Sequence, residues 1–322
     1  MRAATYDRTG PAAEVLTVRD VPRPEPGPGE VRVRVALSGI NPTDVKTRAG
    51  ATPRPIDGFQ VPHQDGAGTI DAVGDGVAPS RVGEAVWVWM AAVGRWGTAA
   101  EWCVVPAEQA VPLGAAAAEL GASLGVPAIT AHRCLYADGA LEGAAVLVAG
   151  GAGAVGHFAI ELARRGGARV AATASTPDKQ ELARAAGAEL VVDYRSADAA
   201  DELRAWSPAM DRIVEVDLAA NLELDLALAD ARTTIVTYAA PGPDPTLPTR
   251  RCMSANVSFR FVLLYNVPRA ALVDAAAEVG AAAAAGALTT LPLHRFGMAE
   301  VVAAQEAVEA GVTGKVLVDP TA

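Results

Sequence analysis

Lysine and cysteine are both scarce in this chain of 322 residues. Only three of its 27 basic residues are lysines, namely Lys46, Lys179 and Lys315. A chain that uses arginine almost everywhere else could keep lysine for particular sites, and chance placement on the surface is the alternative. The three cysteines are scattered and odd in number, which excludes a disulfide framework and is typical of a reducing compartment. We therefore predict a cytoplasmic protein.

Long apolar runs and basic clusters are missing as well. No apolar run approaches the roughly 20 residues that cross a bilayer, and the N-terminal segment MRAATYDRTG lacks the apolar stretch of a signal peptide. A formal net charge of −10 without a lysine cluster argues against a nucleic-acid partner. The sequence is nevertheless 51% hydrophobic, so it can bury a sizeable core, and its length favours two domains. We predict neither a membrane nor a nucleic-acid partner.

The first third of the chain is predicted to be rich in strands. Residues 31–40, VRVRVALSGI, alternate apolar and polar side chains with the period of a half-buried strand. The segments GTIDAVG, EAVWVWM and EWCVVP are further short strand candidates, separated by glycine and proline. Residues 41–50, NPTDVKTRAG, indicate a short helix with Pro42 at its first position and Gly50 at its end.

From about residue 124 onward, strand patterns alternate with helix patterns. The strand candidates are AAVLVAG, RVAATAS, ELVVDY, DRIVEVDL and TTIVTYA, and residues 255–266, ANVSFRFVLLYN, are predicted to form a sixth strand. This alternation predicts a parallel sheet with right-handed crossovers. The tail is predicted to add an alanine-rich helix, a strand around TTLPLHRF, a helix in MAEVVAAQEAVEAG and a last strand, KVLVDP.

A glycine-rich turn lies between the first of these later strands and its helix. Gly151, Gly153 and Gly156 satisfy the G-x-G-x-x-G pattern. The glycines would permit a tight turn, a close approach of the backbone to a pyrophosphate, and close packing of helix on strand. The helix N-terminus would then offer free N–H groups to the phosphates. A tight turn without a ligand is the alternative, and the strand–turn–helix context favours a dinucleotide site.

The end of the second strand indicates which dinucleotide is bound. Enzymes that prefer NAD place an acidic residue there for the ribose hydroxyls, whereas this chain has Ala174. Ser175, Lys179 and Tyr194 could instead hold a 2′-phosphate through hydroxyl groups and one cation. We therefore predict NADPH as the cofactor, with an ordinary exposed helix residue as the alternative for Lys179.

The chain resembles the medium-chain dehydrogenases/reductases over essentially its whole length. The motifs that carry the resemblance are, in order, SGINPTD, DGAGTIDAVGDGV, VGEAVWVW, GTAAEWCVVP, PAITAHRCL, AGGAGAVG and TGKVLVDP. The chain is most similar to the zinc-free quinone oxidoreductase branch, which includes zeta-crystallin-like proteins. The resemblance implies an α/β fold, with a doubly wound Rossmann parallel sheet and a GroES-like β-rich catalytic domain. The expected domains are 1–123 with 267–322, GroES-like and catalytic, and 124–266, which binds the dinucleotide.

The resemblance also bears on metal binding. Of the three positions that hold catalytic zinc in related alcohol dehydrogenases, the first is Asn41 in this chain and the second is His63. The third would fall in SLGVPAIT, which contains no cysteine or acidic residue, and one ligand cannot hold catalytic zinc. Residues 85–101 also lack the four cysteines of a structural zinc site. We therefore predict no metal and interpret His63 as a substrate-pocket or packing residue.

The resemblance further suggests which residues meet substrate and cofactor. Asn41 is the leading candidate to line the reacting centre, and Thr130 resembles the threonine that touches the nicotinamide. Lys46 stands where many relatives have tyrosine, and it is a catalytic candidate with a solvated helix lysine as the alternative. Trp96, in a loop beside glycine, is predicted to border a flat substrate. The predicted cofactor contacts are Asn41, Thr130, Gly151, Gly153, Ala154, Val155, Gly156, Ser175, Lys179, Tyr194, Tyr238 and Lys315.

These features predict an NADPH-dependent, metal-independent reductase that transfers hydride to a quinone or another conjugated carbonyl. An enoyl or 2-alkenal reductase is the nearest alternative, and a non-catalytic NADPH-binding protein is a more distant one. Segment 256–265 is apolar and last in the order of the parallel sheet, so it should lie at a sheet edge. We predict a homodimer through this strand, with a small molecule as the other partner.

Overall fold

The structure, a computed structural model, describes residues 1–51 and 55–322 and divides into two units. Unit 1 comprises Met1–Pro127 and Ala276–Ala322, and unit 2 comprises Ala128–Ala275. These units are defined by compactness alone, so the domains expected from the sequence, 1–123 with 267–322 and 124–266, stay a prediction. None of the described helices is long and apolar enough to cross a membrane.

The first part of unit 1 is built mainly from strands. In chain order, its elements are β1 (Arg2–Thr5), α1 (Ala12–Val15), β2 (Thr17–Asp20), β3 (Glu30–Ile40), α2 (Pro42–Ala49), β4 (Asp65–Val73), β5 (Ala85–Val88), β6 (Trp102–Pro106), β7 (Ala110–Pro112) and α3 (Ala118–Tyr136). The helix α3 begins in unit 1 and ends in unit 2.

Unit 2 alternates strands and helices. Its elements are β8 (Ala145–Val148), α4 (Ala154–Arg165), β9 (Arg169–Thr173), α5 (Pro177–Ala185), β10 (Leu190–Val192), α6 (Ala199–Trp206), β11 (Arg212–Glu215), α7 (Leu218–Ala227), β12 (Thr234–Thr237), α8 (Thr249–Ala255) and β13 (Ser258–Phe261).

The chain then returns to unit 1. The helix α9 (Arg269–Ala284) begins in unit 2 and ends in unit 1, and it is followed by β14 (Leu293–Gly297), α10 (Val301–Glu309) and β15 (Lys315–Asp319). Short 3-10 helices lie at Pro79–Arg81, Ala91–Val93, Ala107–Gln109, Leu264–Asn266 and Met298–Glu300.

The main sheet of unit 1 is held together by β3. Its strands follow the order β14-β15-β3-β4-β5-β7, β6 also pairs with β3, and β1 and β2 form a separate antiparallel pair. The predicted alternation holds in the middle of β3, where Val33 and Val35 face a buried core while Arg34 and Ala36 are exposed. It fails at the two ends, because Arg32 is buried and residues 37–40 are buried without interruption. The register places Val316 of the last strand opposite Ile40, so β15 pairs with β3 at the residue before Asn41.

Unit 2 contains a six-stranded, fully parallel sheet in the order β10-β9-β8-β11-β12-β13. The strand β8, sequence AVLV, is buried throughout, as expected of a parallel sheet that is covered on both faces. The order reverses between β8 and β11, and ligands of such sheets bind at the carboxyl ends of the strands beside this switch point. The predicted α/β class, with a doubly wound sheet, is confirmed.

The sixth predicted strand is shorter than its apolar pattern suggested. Residues 255–266 were expected to be extended, but only Ser258–Phe261 pair with β12. The preceding helix ends at Asn256, which takes the left-handed conformation with φ of 50°. A 3-10 turn at Leu264–Asn266 ends the extended segment on the other side. The turns on either side therefore determine the length of the strand, and the length of the apolar segment does not.

Candidate active site

Helix α2 begins at the SGINPTD motif. Asn41 adopts an extended backbone as the N-cap, and Pro42 takes the first helical position, where no N–H is needed. The carboxylate of Asp44 accepts a hydrogen bond from the backbone N–H of Asn41 at 2.8 Å, as in a capping box. Gly50, with φ of 93°, ends the helix in the left-handed region. The predicted short helix is confirmed.

Two buried partners fix the side-chain amide of Asn41. Its Nδ2 donates to Oδ2 of Asp65 at 2.7 Å, and its Oδ1 accepts from Nζ of Lys315 at 2.8 Å. The exposed fractions are 2% for Asn41, 0% for Asp65 and 3% for Lys315. Because an ammonium only donates and a carboxylate only accepts, these partners determine the orientation of the amide. Within residues 1–51 and 55–322, Nδ2 has no second hydrogen-bond partner.

Asn41, Asp44, Asp65 and Lys315 form what we call the buried cluster. Both carboxylates have further donors, since Asp65 accepts from the backbone N–H of Val126 at 2.9 Å. Asp44 accepts from the backbone N–H of Gln64 at 3.0 Å. Burial raises the pKa of Asp44 to about 8, helped by repulsion from Asp65, whereas the N–H donors and Lys315 oppose the shift. Burial likewise raises the pKa of Asp65 and lowers that of Lys315.

Two glycines make room for the buried cluster. A Cβ on Gly39 would lie 3.0 Å from Cε of Lys315 and would collide with the carbonyl group of Ala122. A Cβ on Gly125 would collide with the carboxylate of Asp65. Neither glycine has a positive φ, so close approach rather than backbone freedom accounts for both.

His63 lies in a second buried network. Its side chain is 0% exposed, and its φ of 74° is rare for a residue other than glycine. Gln305 accepts from Nε of Arg48 at 3.0 Å through its Oε1, so its Nε2 is the atom that meets Nε2 of His63 at 3.1 Å. The amide therefore donates to the ring, which leaves the ring proton on Nδ1.

That proton starts a chain of hydroxyl groups. Nδ1 of His63 donates to Oγ of Ser38 at 2.9 Å, and Ser38 donates to Oγ1 of Thr98 at 2.8 Å. Thr98 then donates to the carbonyl oxygen of Asp65 at 2.6 Å. Burial, together with the charge of Lys315, lowers the pKa of His63 to about 3. Because side chains of the protein occupy both ring nitrogens, the geometry favours the packing interpretation of His63 over the substrate-pocket one.

Three other predicted residues have different surroundings. Lys46 is exposed on α2, on the face opposite the buried Val45 and Arg48. The half-buried Trp96 meets the ring of Phe59 edge-on, with the ring centroids 5.5 Å apart. Thr130 belongs to unit 2 and is 6% exposed on α3. Their roles toward substrate and nicotinamide stay predictions.

The glycine-rich turn of unit 2 has the geometry that its sequence predicted. A Cβ on Gly151 would lie 2.8 Å from Cβ of Ala172 on the neighbouring strand, and a Cβ on Gly156 would collide with the carbonyl group of Gly150. Gly153 is exposed and is the N-cap of α4. The half-buried Ala154 and Val155 form the first turn, whose N–H groups have no acceptor within the helix.

The carboxyl ends of β9 and β10 bring together the residues that were predicted to read the ribose. Ala174 is 4% exposed, Ser175 follows it, and Lys179 lies in the first turn of α5. Tyr194 is 41% exposed and lies two residues after β10. Tyr238 directly follows β12, and burial raises the pKa of its hydroxyl group.

Sequence reasoning overlooked Arg195. Its guanidinium donates to the backbone carbonyl of Ser175 and pairs with the carboxylate of Asp193 at 2.7 Å. It also lies 6.0 Å from the centre of the Tyr194 ring. Arg195 therefore contacts both Ser175 and Tyr194, and it is a second cationic residue of this region in addition to Lys179. Its position next to Tyr194 in the sequence was the available signal.

Asp44, Asp65 and Gln305 were also overlooked. In the sequence, Asp65 stands at the start of a strand and Asp44 inside a polar helix turn, which are ordinary places for aspartate. Lys315 was predicted to contact the cofactor, but its ammonium is engaged by Asn41 at 2.8 Å and faces Asp65 at 3.6 Å. This geometry favours a role inside unit 1.

The parallel sheet with its glycine-rich turn and the β-rich unit 1 are typical of a dehydrogenase or reductase, and comparison with known proteins agrees. The alcohol dehydrogenase GroES-like domain model matches residues 27–115, and the zinc-binding dehydrogenase model matches residues 154–281. The chain is 30% identical to quinone oxidoreductase of Rattus norvegicus, over 83% of this chain and 81% of that protein.

Solved structures extend the likeness over nearly the whole chain. A mycobacterial protein solved with NADPH superimposes with a TM-score of 0.84 at 28% identity, covering 99% of this chain and 100% of that one. An NAD-dependent alcohol dehydrogenase gives a TM-score of 0.90 at 27% identity, covering 99% of each chain. This chain belongs to the medium-chain dehydrogenase/reductase superfamily, in its quinone oxidoreductase branch.

The burial of neutral His63 predicts how stability depends on pH. Its pKa is about 3 in the folded chain and has the ordinary value of 6.5 in the unfolded chain. The stability is therefore fully present above pH 6.5 and is lost as the pH falls toward 3, because only the unfolded chain takes up the proton. Between about pH 7.5 and 5, wild type should lose about 2 kcal/mol more of its unfolding free energy than His63→Gln does.

Chemical denaturation of both proteins at each pH measures this difference. An NMR titration of the wild-type ring provides a second check that does not depend on the folding of the variant, and the ring should stay neutral at pH 5 with its proton on Nδ1. Equal pH slopes in the two proteins, or a ring that titrates near 6.5, would contradict the assignment.

Proposed function

We propose that this protein is an NADPH-dependent reductase that transfers hydride, without a metal, to a quinone or another conjugated carbonyl compound. The observation that carries the proposal is the oriented amide of Asn41. Its oxygen is held by Lys315 and one N–H by Asp65, so the other N–H is a fixed donor without a partner in the described chain.

This donor matches what the reaction needs. When hydride adds to a carbonyl or conjugated carbon, negative charge develops on the substrate oxygen. A donor that is already oriented stabilises this charge without reorganising at the moment of reaction. Loss of one such donor typically lowers kcat by about 100- to 1000-fold. The function thus rests on a neutral hydrogen-bond donor in place of a Lewis acid.

Unit 2 fits the cofactor. NADPH, when bound, supplies the hydride. Gly151, Gly153 and Gly156 leave the backbone free to approach a pyrophosphate, and the first N–H groups of α4 would donate to it. The solved mycobacterial relative with NADPH supports this cofactor. At the ribose, Ser175 and Tyr194 offer hydroxyl groups and Lys179 offers a cation to a 2′-phosphate, with Ala174 at the position where NAD enzymes have an acid. Arg195, which is paired with Asp193 at 2.7 Å, adds a second guanidinium to this region.

The donors of unit 1 do not fit a catalytic zinc ion. Asn41 stands at one ligand position, and at another the Nε2 lone pair of His63 is taken by Gln305. Zinc would have to displace a hydrogen bond at His63, and the nearby carboxylates of Asp44 and Asp65 already accept two hydrogen bonds each. Among the residues that the structure describes, no cluster of three or more histidine, cysteine or acidic side chains is arranged to hold a metal.

An assay of cofactor oxidation tests the function. We expect the purified protein to oxidise NADPH with 1,4-benzoquinone or 9,10-phenanthrenequinone, and to keep that activity after treatment with EDTA. Crotonaldehyde and crotonyl-coenzyme A test reduction of a carbon–carbon double bond. Activity with the thioester alone would replace the proposal by an enoyl reductase, and no activity with any acceptor would favour a non-catalytic NADPH-binding protein. Stoichiometric zinc with activity lost on its removal would overturn the metal-free mechanism.

The cations at the ribose predict cofactor selectivity. Lys179→Ala should raise the KM for NADPH about tenfold and leave the KM for NADH nearly unchanged. A tenfold change corresponds to the lower end of the free energy of about 1.5–3 kcal/mol for one charge-assisted hydrogen bond to phosphate. Arg195→Ala should raise the same KM. Arg184→Ala is the matched control, because Arg184 lies in the last turn of α5 and should change neither constant. Steady-state kinetics with both cofactors measure this, and equal loss of both cofactors would show that the phosphate site is misassigned.

We also propose a homodimer through segment 256–265. Within the described chain β13 is the edge strand of its sheet, and Phe261 and Leu263 are 67% and 57% exposed. An unpaired apolar edge favours pairing with a second copy. Light scattering should give a dimer that Phe261→Asp converts to monomer. Met253→Asp, at an exposed apolar residue on α8, should remain dimeric, and a wild-type monomer at micromolar concentration would contradict the proposal.

A further inference from the structure

Lys315 is the one lysine whose side chain lies inside the described core. It opens β15, and the residue after it pairs with Ile40, so the register brings its ammonium beside Asn41. It is 3% exposed, whereas Lys46 is exposed and Lys179 is half-buried. A buried ammonium is costly unless charged or polar partners surround it, and here Asn41 and Asp65 do so.

We propose that Lys315 is a positioning residue for hydride transfer, which fixes the amide of Asn41 so that its spare N–H is always presented as the donor. This inference rests on the proposed function. Lys315 donates to the amide oxygen of Asn41, and Asp65 accepts from the amide nitrogen. Because one partner only donates and the other only accepts, a single orientation of the amide is favourable.

The alternative orientation is excluded only while the ammonium is present. A flipped amide would direct its oxygen at the carboxylate of Asp65 and its NH₂ group at the ammonium of Lys315, which are two repulsive contacts. Without the ammonium, Asp65 would lose its nearest cation and take up a proton, since burial already raises its pKa. A protonated Asp65 could donate to the oxygen of a flipped amide, so both orientations would be populated.

Lys315→Met tests the inference, since methionine keeps much of the side-chain volume and removes the charge. We expect kcat to fall at least about tenfold, while the KM for NADPH changes less than about twofold, as for an interaction made only in the transition state. A raised KM for NADPH with unchanged kcat would overturn the inference and make Lys315 a cofactor ligand, as the sequence predicted.

A double variant separates positioning from stability. Lys315→Met/Asp65→Asn removes a buried cation and a buried anion together, so stability should recover relative to Lys315→Met alone. The kcat should not recover, because the ammonium and the carboxylate that select one orientation are both gone, and an amide at position 65 can donate to the oxygen of a flipped Asn41. Recovery of kcat in step with the melting temperature would show that Lys315 only stabilises the fold. Arg32→Met is the matched control, because Arg32 is a buried cation on β3 paired with Asp71 at 2.8 Å, and its loss should lower stability but not kcat.

A measurement independent of activity keeps the inference testable even if the proposed function fails. The chain has four asparagines, so selective ¹⁵N labelling gives four side-chain amide pairs, and Asn41→Asp identifies the pair of interest. In wild type, Asn41 should show one set of signals with slow hydrogen exchange. In Lys315→Met, two sets or rapid exchange should appear. An unchanged amide pair in Lys315→Met would overturn the inference, whatever the activity assays show.

Discussion

The arrangement of unit 1 around Asn41 depends on the contacts of one buried ammonium group, that of Lys315, with the amide of Asn41 and the carboxylate of Asp65. Lys315 comes from the last strand, Asn41 from the start of α2 and Asp65 from the start of β4, so the cluster joins segments that are far apart in the chain. Buried charges are tolerated only when each has partners. Every carboxylate oxygen of Asp44 and Asp65 accepts a hydrogen bond. The same contacts that offset the cost of burial also orient Asn41.

Unit 2 relies on a different constraint, the close approach of backbone to backbone. Gly151 and Gly156 are required because a Cβ at either position would meet the neighbouring strand or the turn itself. Their small size brings the first turn of α4 to the carboxyl end of the sheet, where a phosphate can meet free N–H groups. We propose that the choice between dinucleotides is made separately, by side chains after β9 and β10.

The sequence predicted those parts of the protein that depend on local patterns. The short helix after Asn41, the alternation in the middle of β3 and the glycine turn follow from spacing and capping, and the structure confirms them. The cluster could not be predicted, because the pairing of β15 with β3 joins residues more than 270 positions apart and no local pattern encodes it. Only the scarcity of lysine hinted at Lys315. Arg195 was overlooked because its role depends on where β9 and β10 end side by side.

We propose that the oriented N–H of Asn41 stabilises charge on the substrate oxygen during hydride transfer. Stopped-flow measurement of a single turnover tests it most directly, with NADPH prebound and a quinone as acceptor, in wild type and in Asn41→Ala. We expect the rate of hydride transfer to fall about 100-fold or more in the variant while the Kd for NADPH stays the same. Hydride transfer at the wild-type rate in Asn41→Ala would show that this N–H does not stabilise the substrate oxygen.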